Sequence, residues 1–243
     1  QVGIGIPGVI DHDAGRVRHA VNLGVTDLAL TEILASRLGL PVVIDNDVNA
    51  AALGAVRLLG LTEPTTYLNL GTGLAAGTVV NGRIWRGARG GAGEIGHIPT
   101  DSAGPLCPCG QRGCLETMAS GSALARLWPT ASLHPALDLF DSADAGDAHA
   151  LAARTVFVEA VASAIRVLIL ASDVETVVIG GGLSNLGGRL LRPVQDTLRG
   201  WSLQSPFLAS LQLDERTTLL PVGAPAAAIG AALLDAPPIS AVV

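Results

Sequence analysis

Gly93-Glu94-Ile95-Gly96-His97, followed after nine residues by Cys107-Pro-Cys109-Gly110-Gln-Arg-Gly113-Cys114-Leu115-Glu116, is the stretch on which the reading of this chain turns. All three cysteines of the chain fall inside it, spaced Cys-x-Cys-x4-Cys, with one histidine ten residues ahead of the first. An odd, tightly clustered set is a poor disulfide framework. One imidazole and three thiolates make a full tetrahedral donor set for structural zinc. The expected ligands are His97, Cys107, Cys109 and Cys114. Pro105, Pro108, Gly110 and Gly113 permit the tight turns such a loop needs. The competing reading is three buried cysteines beside an unrelated histidine. Two acids, Glu94 and Glu116, bracket the loop. If a metal folds it, both acids and His97 can converge, and together they suit a polyhydroxylated ligand because each accepts hydrogen bonds from hydroxyls. Otherwise Glu116 merely opens a helix.

On the N-terminal side, Pro41-Val-Val-Ile44 reads as a short buried strand ended by Asp45-Asn46-Asp47-x-Asn49, and Val48 to Leu59 as an Ala/Leu-rich helix. A carboxylate at such a strand end can act near an attacking hydroxyl in phosphoryl transfer. Asp and Asn also favour helix N-termini, so capping is an equal reading. Thr66 to Leu70 is the next strand, closed by Gly71-Thr72-Gly73, whose amides and hydroxyl can meet phosphate oxygens or simply form a hairpin. Asn81-Gly82 is a hairpin signal between Gly77–Val80 and Arg83–Trp85. On the C-terminal side, Thr176 to Ile179 is a strand running into Gly180-Gly181-Gly182, where small residues allow a nucleotide close to the backbone or make a plain strand-to-helix turn. Helices are expected over 28–38, 120–127, 148–172, 186–200 and 224–234, a final strand over 217–220, and a polar connector over 129–147. Arg86 and Arg89 beside the Gly-rich loop are candidates for phosphate contact.

Alternating strands and helices, with Gly or acidic turns at strand ends, are an α/β pattern that binds ligands at the carboxyl ends of strands. The chain has 243 residues, 49 % of them hydrophobic, enough for one large domain or two small ones. Every cation is Arg, since no Lys occurs, which excludes P-loop and Schiff-base lysine chemistry. A net charge of −6 leaves no basic footprint for nucleic acid. The clustered thiols and the absence of a signal-peptide pattern fit a cytoplasmic protein. The uncharged run Thr217–Leu234 is broken by Pro and Gly and reads as core, so no membrane span is expected. The opening apolar strand, Val2-Gly-Ile-Gly-Ile-Pro7-Gly8, has few partners in this sequence, and further N-terminal sequence is expected ahead of Gln1.

Taken together, these residues resemble the ROK family (repressors, open reading frames and sugar kinases), from Gly5-Ile-Pro7-Gly8 to the Ala-rich C-terminal helix. The resemblance implies an actin-like, hexokinase-type (ribonuclease H-like) two-lobe ATPase fold with an incomplete small lobe. Residues 1–47 plus 224–243 would form that lobe, and 48–223 the large lobe carrying the metal loop 97–114. It implies phosphoryl transfer from ATP, with Mg²⁺, to a hexose hydroxyl, the 6-OH being expected. Asp47 would be the base, and Asn46, Glu94, His97 and Glu116 would hold the sugar, with His97 serving zinc and sugar through its two nitrogens. Gly71, Thr72 and Gly73 would meet phosphate, and Gly180, Gly181 and Gly182 the nucleotide. A homodimer or homotetramer is implied. The family's Asp-x-Gly-Gly-Thr phosphate loop is not in this sequence. Alternatives are the effector domain of a sugar-sensing regulator, with a helix-turn-helix ahead of residue 1, and an idle zinc-stabilised sugar-binding protein.

Overall fold

The computed structural model describes residues 1–20 and 23–236. The chain divides into two compact units, the first made of 1–67, 76–93 and 223–243, the second of 68–75 and 94–222.

The first unit starts from a parallel pair. Strand β1 (Val2–Ile6) runs beside β4 (Val42–Asn46) in the register Val2↔Val42 through Ile6↔Asn46. Strands β2 (Val9–Asp11) and β3 (Arg16–His19), which the sequence reading did not foresee, form an antiparallel hairpin with a bulge at Val9/Ile10. Ile10, Val17, Ala20, Val42 and Ile44 make the core here, packed by Leu28, Leu30 and Leu34 around the start of helix α1 (Leu30–Leu38). Every residue of β1 is only half-buried, where the sequence suggested full burial.

Helix α2 (Asp47–Leu59) follows β4 without a loop. The Asn46 side chain accepts the amides of Val48 and Asn49, and Gly60, at φ 65°, closes the C-terminus. Residues 48 to 56 are all buried, and their small side chains let α2 touch helix α8 (Ala226–Ala232) backbone to backbone. A Cβ on Gly230 would lie 1.6 Å from the Ala50 carbonyl oxygen, and one on Gly54 1.9 Å from that of Ala226. Only glycine fits at this crossing.

Strands β5 (Thr65–Leu70) and β6 (Leu74–Val80) supply residues to both units. In the first, β6 is followed by β7 (Arg83–Ile84) through the Asn81-Gly82 turn, both residues at positive φ as a type I′ hairpin requires. In the second, β5 is neighboured by β8 (Thr176–Gly180), and β8 by β9 (Thr217–Leu219) in parallel.

The second unit is built around α5 (Ala148–Ser172), flanked by α4 (Pro135–Asp144) and α6 (Gly188–Gln204), with α3 (Gly121–Leu127) and α7 (Pro206–Ser210) completing it. Phe140, Phe157, Ile165, Leu190 and Leu198 are fully buried among these helices. Helix α5 is long and apolar enough to cross a membrane by length and composition. Here its Phe157, Val161 and Ile165 side chains are instead core residues packed by α4 and α6.

One expectation is corrected. The connector expected over 129–147 contains α4. Asp141 and Asp144 are exposed and Asp138, half-buried, accepts the Trp128 Nε1 hydrogen bond, while Leu139, Phe140 and Ala143 are the buried face. Helix α2 packs on β1 and α8 within the first unit, which also contains 76–93. Residues 237–243 of the expected C-terminal segment lie outside the described residues.

Candidate active site and metal centre

The four proposed metal ligands meet. One ligand atom from each of His97, Cys107, Cys109 and Cys114 lies within 4.8 Å of all the others. Cys107 Sγ is 3.7 Å from His97 Nδ1, and Cys109 Sγ is 3.7 Å from Cys114 Sγ. Tetrahedral zinc, at about 2.3 Å from sulfur and about 2.0 Å from nitrogen, holds its ligand atoms roughly 3.5–3.8 Å apart. The donor set therefore fits a four-coordinate ion. Local hydrogen bonds build it: the Cys107 amide donates to the Gln111 carbonyl, and Gly110 N–H to the Cys107 carbonyl. Hydrogen bonds from the backbone and side chain of Gln111 pull the Cys109 thiol down to about 6, whereas burial pushes Cys114 up to about 12. Between residues 98 and 112 only Gly104 and Cys107 are buried, so the loop has almost no apolar core of its own.

His97 and the two acids follow from this loop. Because Nδ1 faces Cys107, the other ring nitrogen is free for a different partner, and Nε2 lies 3.9 Å from Glu94 Oε2. His97 sits on a short 3-10 turn, Ile95–His97, and Glu116 on another, Leu115–Thr117, and the two turns are in contact. One Glu116 oxygen accepts the Leu74 amide at 2.9 Å. That bond exists because residue 73 is glycine; a Cβ there would stand 2.5 Å from the same oxygen. Glu116 is thus joined to the Gly71-Thr72-Gly73 loop, a link that residues 42 apart in sequence gave no sign of.

The Gly71–Gly73 loop closes on itself through Gly71 N–H to the Gly73 carbonyl, and it receives the amides of Gly121 and Ser122 on the carbonyls of Gly71 and Thr72. The Thr72 hydroxyl is left exposed, without a protein partner among the described residues. Beyond β8, Gly181 takes φ +81° and Gly182 begins a 3-10 turn, Gly182–Leu186. Gly182 and Leu183 line a cavity of about 430 Å³, whose other wall is His134, Pro135 and Leu137 at the start of α4. This wall was missed in sequence because α4 was missed.

In the first unit, Asp47 is the first residue of α2 and half-buried. One carboxylate oxygen accepts the Val48 amide at 3.0 Å. Burial raises its pKa above the ordinary aspartate value, and the hydrogen bonds from the Val48 amide and from its own backbone amide oppose this only in part. The capping role that the sequence left open belongs to Asn46, whose carbonyl oxygen takes two α2 amides while its Nδ2 donates to the Gly8 carbonyl at 3.1 Å. Arg86, one of two candidates for phosphate contact, is paired with Asp45 at 2.6 Å. His12 Nδ1 lies 3.1 Å from the Ile44 carbonyl and 3.7 Å from Asp45.

The ROK family profile matches residues 1–236. The chain belongs to the ROK family. This ROK protein is 38 % identical over 221 residues to a glucokinase of Halalkalibacterium halodurans, an alignment covering 83 % of this chain and 67 % of that one. It is similar in structure to a ROK glucokinase of Streptomyces griseus solved with glucose and AMPPNP: TM-score 0.77, 30 % identity, 96 % of this chain and 80 % of that one. It is also 43 % identical over 131 residues to a putative xylose repressor of Caldicellulosiruptor sp., which covers 53 % of this chain and 33 % of that protein. The α/β fold is that of the ROK sugar kinases, in the actin-like, hexokinase-type class.

Proposed function

We propose that this ROK protein is a sugar kinase that transfers the γ-phosphoryl group of ATP to a hexose hydroxyl, the 6-OH. The observation that carries this is the similarity to glucokinases over most of the chain, joined to the chemistry of Asp47. A carboxylate that burial makes a better proton acceptor, only half-buried at the start of α2, suits a base that receives the sugar hydroxyl proton as the phosphoryl group departs from ADP. In this reading Asn46, Glu94, His97 Nε2 and the second Glu116 oxygen hold sugar hydroxyls. The Thr72 hydroxyl and the amides of Thr72 and Gly73 meet phosphate, while Gly71 lines the loop and holds it closed through its bond to the Gly73 carbonyl. Gly180 to Gly182 border the nucleotide, and the cavity against Gly182 and α4, at about 430 Å³, has room for a base. Mg²⁺ bound with ATP supplies charge neutralisation on the phosphates.

The tetrahedral donor set is read as structural zinc on His97, Cys107, Cys109 and Cys114. Its four protein donors leave no open position for substrate water, so the ion's role is to hold the 97–114 loop and the His97 ring. A cytoplasmic homodimer or homotetramer is part of the same reading. So is the range of acceptors: glucose, mannose, N-acetylglucosamine or N-acetylmannosamine.

A coupled ADP-release assay over these hexoses tests the proposal. Wild type should release ADP only with a hexose present, and Asp47→Asn should abolish turnover while sugar binding persists. Undiminished turnover in Asp47→Asn removes Asp47 from its role. The repressor similarity supports one rival, a sugar-sensing effector domain. Hexose binding without ADP release in wild type would favour it.

A further inference from the structure

The structure assigns Arg86 as a positioning residue: through Asp45 it fixes the junction that presents Asn46 and Asp47 and tethers the Gly-rich loop that follows it. The assignment rests on the kinase reading above only for what Asp47 does, not for the geometry.

Asp45 is 1 % exposed, and its carboxylate has every acceptor direction in use. One oxygen receives the Asn46 amide at 2.7 Å and Asn49 Nδ2 at 3.0 Å. Those bonds tie the last turn of β4 to the first turn of α2, on either side of Asp47. The other oxygen receives Arg86 Nε at 2.8 Å and Nη2 at 2.6 Å. A buried carboxylate needs a charged, well-aligned partner, and a guanidinium offers two donors in a fixed fork. Arg86 is the nearer of the two groups on this oxygen, since His12 Nδ1 stands farther off at 3.7 Å.

The same pair decides the loop. From Trp85 to Gly93 no residue is buried. On one side of the loop lies a cavity of about 420 Å³, bordered by Ile10, His12, Gly87, Ala88 and Arg89. Apolar packing therefore does not hold this segment. It is held at its ends: the Arg86 carbonyl accepts the Ala92 amide at 3.3 Å, the Gly93 carbonyl accepts the Ala76 amide at 2.8 Å, and the Arg86 side chain is anchored on Asp45. One buried carboxylate thus sets both the α2 start and the anchored end of the 87–93 loop.

The test is steady-state kinetics and thermal melting of Arg86→Met and of the double variant Asp45→Asn/Arg86→Met, with Asp47→Asn alongside. Arg86→Met leaves Asp45 buried without its partner, so Tm falls, and a junction displaced by about 1 Å lowers kcat roughly 10–100-fold. KM for ATP stays at the wild-type value. In the double variant the unpaired charge is gone, so Tm recovers most of its loss while kcat stays low. Wild-type kcat in Arg86→Met overturns the assignment. So does recovery of kcat together with Tm in the double variant, or a parallel rise in KM for ATP, because each marks a general loss of folding. Turnover retained by Asp47→Asn refutes the base and leaves the Arg86 result to be read by itself.

Discussion

Gly230→Ala and Gly200→Ala are the same substitution inside two helices, and the structure gives them opposite signs. In each helix, alanine is favoured over glycine by about 1 kcal/mol from backbone entropy. At Gly200, in α6, a Cβ meets nothing within 4 Å, so the gain of roughly 0.5–1 kcal/mol should appear undiminished. At Gly230 the Cβ would stand 1.6 Å from the Ala50 carbonyl oxygen, 2.5 Å from its carbon and 2.8 Å from Gly54 N. Real Cβ atoms essentially never approach a heavy atom under 3.0 Å, so α8 and α2 must separate by at least 1.4 Å, the difference between 3.0 and 1.6 Å. All three obstructing atoms are backbone, and no rotamer relieves them. Retreat is also costly, since β1 packs so close to α8 that a Cβ on Gly3 would be 1.7 Å from the Ala231 carbonyl oxygen. Overpacking of this kind costs about 3 kcal/mol, the upper end of the usual range. Set against the helix-propensity gain, the net loss is about 2 kcal/mol. For a chain of this size that lowers Tm by about 4–8 °C, whereas Gly200→Ala raises it by about 1–4 °C. Because Asp47 opens α2, the displacement also lowers turnover in Gly230→Ala, on the order of 100-fold. Calorimetry of both variants with the ADP-release assay reads all of this. If both substitutions raise Tm, the α2–α8 crossing is not the tight contact described.

Two further outcomes follow from the site. Asp47→Asn should stabilise the fold at neutral pH. Burial raises the Asp47 pKa in the folded chain, so the charged form is disfavoured there. The wild type pays no penalty below the unfolded value of about 3.9 and the full penalty above the folded one, so the Tm advantage of the variant should open as pH rises and vanish in acid. A pH-independent difference would contradict this. Elemental analysis should find one zinc per chain in wild type and less in Cys107→Ser. Chelation should expose the amides of 98–113 to rapid hydrogen exchange while those of α5 stay protected, because that loop buries only Gly104, Cys107 and Gly113. Equal protection of the loop with and without chelator would remove the metal from its structural role.

What could be read from the sequence was local. The metal ligands lie within eighteen residues, and their spacing alone defines a donor set, so the loop was legible before any coordinates. The same holds for α5 and the Asn81-Gly82 hairpin, where period and turn chemistry are written in consecutive residues. At the β4–α2 junction the sequence supplied the right residues but could not divide their roles, because Asp and Asn both cap helices; the structure gives the two-amide cap to Asn46 and half-buries the Asp47 carboxylate beside it. Helix α4 hid because a short helix with acids every third residue looks like a polar connector until Leu139 and Phe140 are seen buried. Arg86 and Asp45, 41 residues apart, Glu116 and Leu74, 42 apart, and the glycine contacts between α2 and α8 are decided by tertiary structure alone. Such contacts depend on which groups lose water together and how closely two backbones approach, and neither quantity is a property of neighbouring residues in a chain.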